Sequence, residues 1–333
     1  MKLLEFQGAR RLQLLEMPVP TPQPHEVVVR TLISAICGSE MHAYRGNGSP
    51  GGNPGHEACG IVHAVGDHVR GLRPGQRVGV SAVGGCGRGD CPYCQRGQST
   101  WCPRLKIHVN MHAEYFVAAE SCCLPLPDDI PPEAAVLLAG DGLGVPYHTS
   151  RRLLSPEIRN IVVFGLGPVG LGHTLVQSHL GRAVIGVDIS PYRLEYALRL
   201  GAVRVVDARA EDAVKSVRQI AEGGADVCIE AAGRPETLRQ CFAAVRPGGT
   251  VVMSGEQPQV QLSPSEDFIR RDITAMGCWF YQVGEFPDML RLYRDGLDVR
   301  RLVSHVLPLE EAAEAYRLFD AGLSAKVLLR MQA

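Results

Sequence analysis

The stretch Asn160-Ile-Val-Val-Phe164-Gly165-Leu-Gly167-Pro168-Val169-Gly170 decides the fold of its part of the chain. The short apolar run reads as a buried strand, and the amphipathic residues after Gly170, to about Leu180, read as a helix. Between them, the glycines permit a tight turn, close approach of backbone to a pyrophosphate, and close packing of helix on strand. The helix would start with its unpaired N–H groups facing the phosphates. Ala183–Val187 reads as the next strand, and Asp188 ends it. A carboxylate there accepts hydrogen bonds from ribose hydroxyls and repels a 2′-phosphate, which favours NAD over NADP. Arg193 is a counter-signal, since a cation there could take a phosphate; it could also pack along the adenine or solvate the helix start. A glycine pattern alone is weak, and a strand–helix turn with no ligand is the alternative reading.

The same texture continues outward. Val203–Val206, Val227–Glu230 and Thr250–Met253 read as strands, and Ile273–Gly277 as a sixth, edge strand. Helical periodicity at Arg193–Leu200 and Pro235–Val245 lies between strands. This alternation predicts a doubly wound parallel sheet covered on both faces. Upstream, residues 1–146 are rich in Gly, Pro and short β-branched runs such as Val27–Ile33 and Arg77–Val80, and read as a β-rich, barrel-like lobe. Pro18, Pro20, Pro22 and Pro24 keep the early connection extended. Phe286–Asp295 and Leu309–Leu318 have helical spacing, and a final strand follows. The chain shows no internal repeat.

A chain of 333 residues accommodates two domains. Its apolar share of 45%, charged share of 21% and formal net charge of −1 describe an ordinary globular protein. That charge balance gives no reason to expect nucleic acid or an anionic membrane as partner. No apolar run is long enough for a membrane span, and the N-terminal Met-Lys-Leu-Leu-Glu-Phe-Gln-Gly lacks the apolar core of a signal peptide, so a cytoplasmic protein is expected. Eleven cysteines in that compartment point to metal ligation or burial.

Two groups of them carry the chemistry. Cys86, Cys91, Cys94 and Cys102 lie close together in sequence, and four thiolates complete a tetrahedron with no position left for substrate, as in a structural zinc site. Cys37 and Gly55-His56-Glu57 offer a separate cysteine and histidine; with one more ligand they suit a catalytic zinc that keeps a position open.

Together these motifs resemble the zinc-dependent medium-chain alcohol/polyol dehydrogenases, over essentially the whole chain to Ala325-Lys326-Val327-Leu328-Leu329. The resemblance implies a GroES-like catalytic domain over 1–146, a Rossmann NAD-binding domain over 147–283, and a return of 284–333 to the first domain. It implies that Gly165, Gly167, Pro168, Val169, Gly170, Asp188 and Arg193 meet the cofactor. Cys37 and His56 match two catalytic zinc ligands. Asp141, in Leu138-Ala-Gly-Asp-Gly-Leu-Gly144, stands where the family supplies its third, often a cysteine. Acid residues there occur in sugar-alcohol and amino-alcohol members; an N-cap or turn role is the alternative. Ser39 matches the family's hydroxyl relay and His42 its outer proton acceptor, although Ser39 could also cap a short helix. Glu57 would orient the site or ligate transiently. The four-cysteine lobe departs from the family spacing by two residues in its first gap, and Met111-His112-Ala-Glu-Tyr115 stands where Gly-Phe-Ala-Glu-Tyr is common.

The expected protein is therefore an NAD-dependent oxidoreductase with two zinc ions per chain. It would transfer hydride between the cofactor and a secondary alcohol or its ketone, of the polyol, sugar, cyclitol or amino-alcohol class, and pair as a homodimer or homotetramer through the edge strand. A simple alcohol dehydrogenase and a non-enzymatic member of the fold are the rivals. Tyr44, Arg45 and Trp279 are candidate substrate contacts. Cys59, Cys122, Cys123, Cys228, Cys241 and Cys278 read as core, and His148 as a structural residue opening the helix that links the domains.

Overall fold

The computed structural model describes residues 1–332. It divides into two compact units. One comprises Met1–Gly144 together with the chain from Phe280 onward, and the other is Val145–Trp279. The breaks thus follow Gly144 and Trp279, where the sequence texture suggested 146 and 283.

The second unit is a six-stranded sheet with every neighbouring pair parallel. Its order is Arg204–Asp207, Ala183–Asp188, Asn160–Phe164, Ala225–Glu230, Val245–Met253, Thr274–Gly277. The first strand in sequence, Asn160–Phe164, lies at the centre, so strand order reverses around it. Such a switch point opens the crevice in which doubly wound sheets bind ligands. Burial follows from composition: Val162, Phe164, Ile185, Val187, Cys228 and Val251 belong to one core cluster. Helices Pro168–His179, Pro191–Arg199, Ala213–Ile220 and Pro235–Ala244 provide the crossovers. Ile273 lies outside the edge strand and is buried, so the open edge consists of Thr274, Ala275, Met276 and Gly277.

The first unit is built on a seven-stranded mixed sheet, in the GroES-like arrangement. Its long strand Glu26–Ala35 pairs antiparallel with Ala58–Val65, Tyr115–Ala119 and Lys326–Arg330. The last of these pairs parallel with Val303–Pro308, a strand the sequence reading overlooked. A hairpin, Lys2–Gly8 with Arg11–Glu16, precedes the proline-rich connection. The register sets up the site. Ser34 faces Ala58, and the Ala35 N–H donates to the Glu57 carbonyl at 2.9 Å. On the other side Leu328 faces Ala35, and the Ile36 N–H donates to the Val327 carbonyl at 3.0 Å. Three strand ends therefore bring Cys37, His56-Glu57 and Lys326 to one place.

Candidate metal centre, cysteine lobe and dinucleotide loop

Cys37, His56, Glu57 and Asp141 are all buried, and one ligand atom from each lies within 4.8 Å of the others. Asp141 begins the helix Asp141–Ser150, and its Oδ2 lies 3.2 Å from His56 Nε2 and 3.7 Å from Cys37 Sγ. Ligands held at zinc bond lengths on a tetrahedron are spaced by about 3.3–3.8 Å, so these three donors fit one ion. Two buried carboxylate oxygens beside them, Asp141 Oδ1 and Glu57 Oε2, have no hydrogen-bond partner. Orphaned acceptors of that kind are costly unless a cation or donor reaches them.

The surroundings orient the set. His56 Nδ1 donates to the Pro54 carbonyl at 2.9 Å, which leaves the Nε2 lone pair for the metal. Burial works against protonation of His56, but the charges of Cys37 and Asp141 outweigh it and raise the imidazole well above its ordinary range. A cation is thus favoured at this spot, whether proton or metal. Glu57 is paired with the buried Lys326 ammonium. Burial lowers Lys326, and the Glu57 carboxylate outweighs burial and raises it above its usual value. Glu40, also fully buried, bonds His112 and Tyr316; burial raises its carboxyl, and His112 overcomes this to hold it below the usual range.

Ser39 and His42 are both exposed, Ser39 on the turn Gly38–Glu40 that follows Cys37 and His42 in the short helix Met41–Arg45. Cys37, and not Ser39, is the N-cap of that short turn. Tyr44 is no substrate contact: it is packed in the apolar core at 5.2 Å from the Tyr316 ring. Arg45 is tied to Asp320 at 2.6 Å. His148 lies in the last turn of its helix and does not open it. Lys326, His112 and Tyr316 were missed. A lone lysine in the apolar run Lys326-Val-Leu-Leu was the available signal for the first, since a buried ammonium needs a partner.

In the lobe, Cys86 and Cys94 are 3.7 Å apart and Cys91 and Cys102 are 3.8 Å apart, with no disulfide. Both separations match the thiolate edges of a zinc tetrahedron, about 3.8 Å. The longer first gap, through Arg88-Gly89-Asp90, is exposed and held by an Arg88–Asp90 ion pair at 2.9 Å, so it bulges without parting the thiols. Backbone N–H donation at Arg88 brings the Cys86 thiol down to about 6, and burial pushes Cys94 up to about 12.

The glycine loop has a steric logic of its own. Gly165 has φ +89°, and a Cβ there would meet the Ala232 backbone N at 2.6 Å; a Cβ on Gly170 would strike the Gly165 carbonyl at 1.9 Å. A Cβ on Gly167 would meet nothing within 4 Å, so no protein atom occupies the space before the helix start there. Pro168 opens the helix and Val169 follows in its first turn. Asp188 Oδ2 accepts from the Leu166 N–H at 2.6 Å, and Oδ1 accepts from Ile189 and Ser190 at 2.7 and 2.8 Å, which ties the acidic strand end to the glycine turn. The Arg193 N–H donates to the Ser190 hydroxyl and so helps cap its helix, at 3.2 Å. Met253, Gly255, Glu256, Gln257 and Pro258 line a cavity of about 590 Å³ in the same unit.

Residues 23–128 match the family model described as an alcohol dehydrogenase GroES-like domain, and 168–295 the model of a zinc-binding dehydrogenase. The chain is 30% identical to L-threonine 3-dehydrogenase of Stenotrophomonas maltophilia (strain K279a) over 98% of both chains. Among solved structures it is similar to the alcohol dehydrogenase TADH of Thermus sp. ATN1, at 33% identity, TM-score 0.86 and full coverage of both chains. It is also similar to an alcohol dehydrogenase of Escherichia coli CFT073 complexed with NADH, at 25% identity, TM-score 0.85 and 99% coverage of both. A donor set spaced for zinc, a parallel sheet with a bare glycine turn, and likeness along the whole length converge: this chain belongs to the zinc-binding medium-chain alcohol dehydrogenase family and is a zinc- and NAD(P)-dependent oxidoreductase of CH–OH substrates.

Proposed function

We propose that the protein oxidises a secondary alcohol carrying a neighbouring hydroxyl or amino group, of the polyol, sugar, cyclitol or amino-alcohol class, and prefers NAD. The observation that carries this reading is the pair of unpartnered buried acceptors, Asp141 Oδ1 and Glu57 Oε2. A plain primary alcohol brings one hydroxyl; a polyfunctional substrate brings a second donor for the acceptor the metal leaves free. The likeness to a threonine dehydrogenase points the same way.

In this reading Cys37, His56 and Asp141 hold the catalytic zinc, and Cys86, Cys91, Cys94 and Cys102 hold a second, closed one. The first would supply Lewis-acid polarisation of a substrate hydroxyl, and NAD would accept hydride. Two anionic ligands and a neutral histidine neutralise the divalent charge. Lys326 neutralises Glu57, so that buried acid adds no net negative charge to the centre. Ser39 passes the hydroxyl proton outward and the exposed His42 hands it to water. Asp188 selects the cofactor by facing the ribose hydroxyls with a carboxylate. Eleven unpaired thiols suit a cytoplasmic, reducing compartment, and no helix among the described residues is long and apolar enough to cross a membrane. The open edge Thr274–Gly277 is the surface for two-fold pairing of subunits.

A panel of polyols, sugars, cyclitols and amino alcohols beside simple primary alcohols, scored by NADH formation, tests the substrate class. Best turnover on a simple alcohol would reject it. Comparable catalytic efficiency with NADP would reject the role given to Asp188, and a monomer in light scattering at micromolar concentration would reject the pairing.

A further inference from the structure

Behind His56, on the side away from Cys37 and Asp141, lies a closed group of polar side chains. Glu40, His112 and Tyr316 have no exposed surface, and neither does Ser34. Glu40 Oε2 takes two bonds, from His112 Nε2 at 3.1 Å and from the Tyr316 hydroxyl. Ser34 Oγ lies 2.8 Å from His112 Nδ1. A carboxylate only accepts, so His112 carries a proton on Nε2, and its Nδ1 shares a bond with the Ser34 hydroxyl. Glu40 Oε1 has no hydrogen-bond partner and lies 3.7 Å from His56 Nδ1.

The rest of the surroundings leave His112 little freedom. Its backbone N–H donates to Asn53 Oδ1 at 3.2 Å, and its carbonyl accepts from the Leu4 N–H at 2.9 Å. Its ring lies against the residue before His56, where a Cβ on Gly55 would come within 2.4 Å of Cδ2. Tyr316 is fixed in turn by edge contacts with Phe6 at 5.0 Å.

We propose that His112 and Tyr316 are positioning residues for the catalytic metal: by gripping one oxygen of Glu40 they aim the other at the Nδ1 edge of His56. This rests on the metal-centre reading given above. A fixed negative group behind a histidine ligand orients its ring and raises its basicity toward the ion, and losing such a partner weakens metal binding by about 10–100-fold. Without His112 and Tyr316, Glu40 has no donor to hold it and is free to pivot away from His56. A phenylalanine at position 112 fills a similar volume but can grip nothing.

The test uses the zinc-loaded enzyme challenged with a colorimetric zinc chelator, following release of each ion, with the four-cysteine zinc as internal reference. His112→Phe should speed release of the labile zinc by about 10–100-fold and leave the second unchanged. Tyr316→Phe, which removes the hydroxyl's bond to Glu40 and its 3.0 Å contact with His112 Nε2 but almost no volume, should shift release in the same direction by less. His112→Gln keeps a donor at the reach of Nε2 and should return close to the wild-type rate. Wild-type release from His112→Phe, or release from His112→Gln as fast as from His112→Phe, overturns the inference, the second because the role would then be packing alone. Should His112→Phe fail to fold, Tyr316→Phe decides, and an unchanged rate overturns it. Wild-type protein that holds no labile zinc overturns the metal-centre reading itself, and the inference with it.

Discussion

The two donor clusters share a spacing and little else. In the cysteine lobe the four thiols come from residues 86–102, two of them are part-exposed, and Arg104 lies 3.7 Å from Cys86. In the other, the donors are gathered from strand ends and a helix start, all are buried, and Lys326, Glu40, His112 and Tyr316 stand behind them. A local cluster can be closed by its own turn, whereas an assembled one needs neighbours to pay for buried charge. The first is suited to holding an ion permanently; the second leaves acceptors unfilled and is suited to working with one.

The sharpest way to break this contrast is Asp141→Ala. It should remove about one zinc per chain and cut turnover by at least about 10³-fold, since several kcal/mol of charge stabilisation go with the ion. Elemental analysis with steady-state assays checks it. Retention of both metals with most activity would make Asp141 a turn former. Lys326→Met comes next. It leaves Glu57 buried without its cation and should cost about 3–5 kcal/mol in urea unfolding, most of it regained when Glu57→Gln is added. Equal loss in single and double variants would mean that the lysine acts by packing.

On the lobe side, Cys94→Ser should release the other zinc and lower Tm by several degrees, about 2–4 °C for each kcal/mol lost, while turnover per labile zinc stays nearly unchanged. A large fall in that specific turnover would merge the two regions into one functional unit. The smallest effect is in pH dependence. In zinc-free protein His56 is raised by Cys37 and Asp141 over the opposition of burial. A raised histidine contributes stability that is fully present below its unfolded value of about 6.5 and is lost as pH rises through the folded value. Chelator-treated enzyme should therefore lose stability on the alkaline side, and zinc-loaded enzyme, whose His56 carries no proton, should not lose that share. Parallel Tm profiles for the two forms would take His56 out of the ligand set.

The contrast also explains what could be read from sequence. The glycine turn and the cysteine lobe were legible because each is local: spacing alone fixes which groups meet. Asp141 had no such signal and was found only by its place relative to a family pattern; the 3.2 Å approach to His56 is a product of the fold. Lys326, His112 and Tyr316 meet partners that lie far from them in sequence. The Tyr316–Glu40 bond spans 276 residues, and no periodicity announces such a pair. Tyr44 was misread for the same reason, since an aromatic beside a metal ligand in sequence points into the apolar core here.

The distance between Glu57 and Lys326, 269 residues, also sets an order of assembly. The entire parallel-sheet unit, Val145–Trp279, must be synthesised before the lysine that neutralises Glu57 exists. A nascent chain holding Cys37, His56 and Asp141 alone has a donor set with an unbalanced buried acid and no closing strand. The Glu57–Lys326 pair is thereby completed only after synthesis has passed the inserted unit, and a chain interrupted anywhere in between lacks the cation that neutralises Glu57.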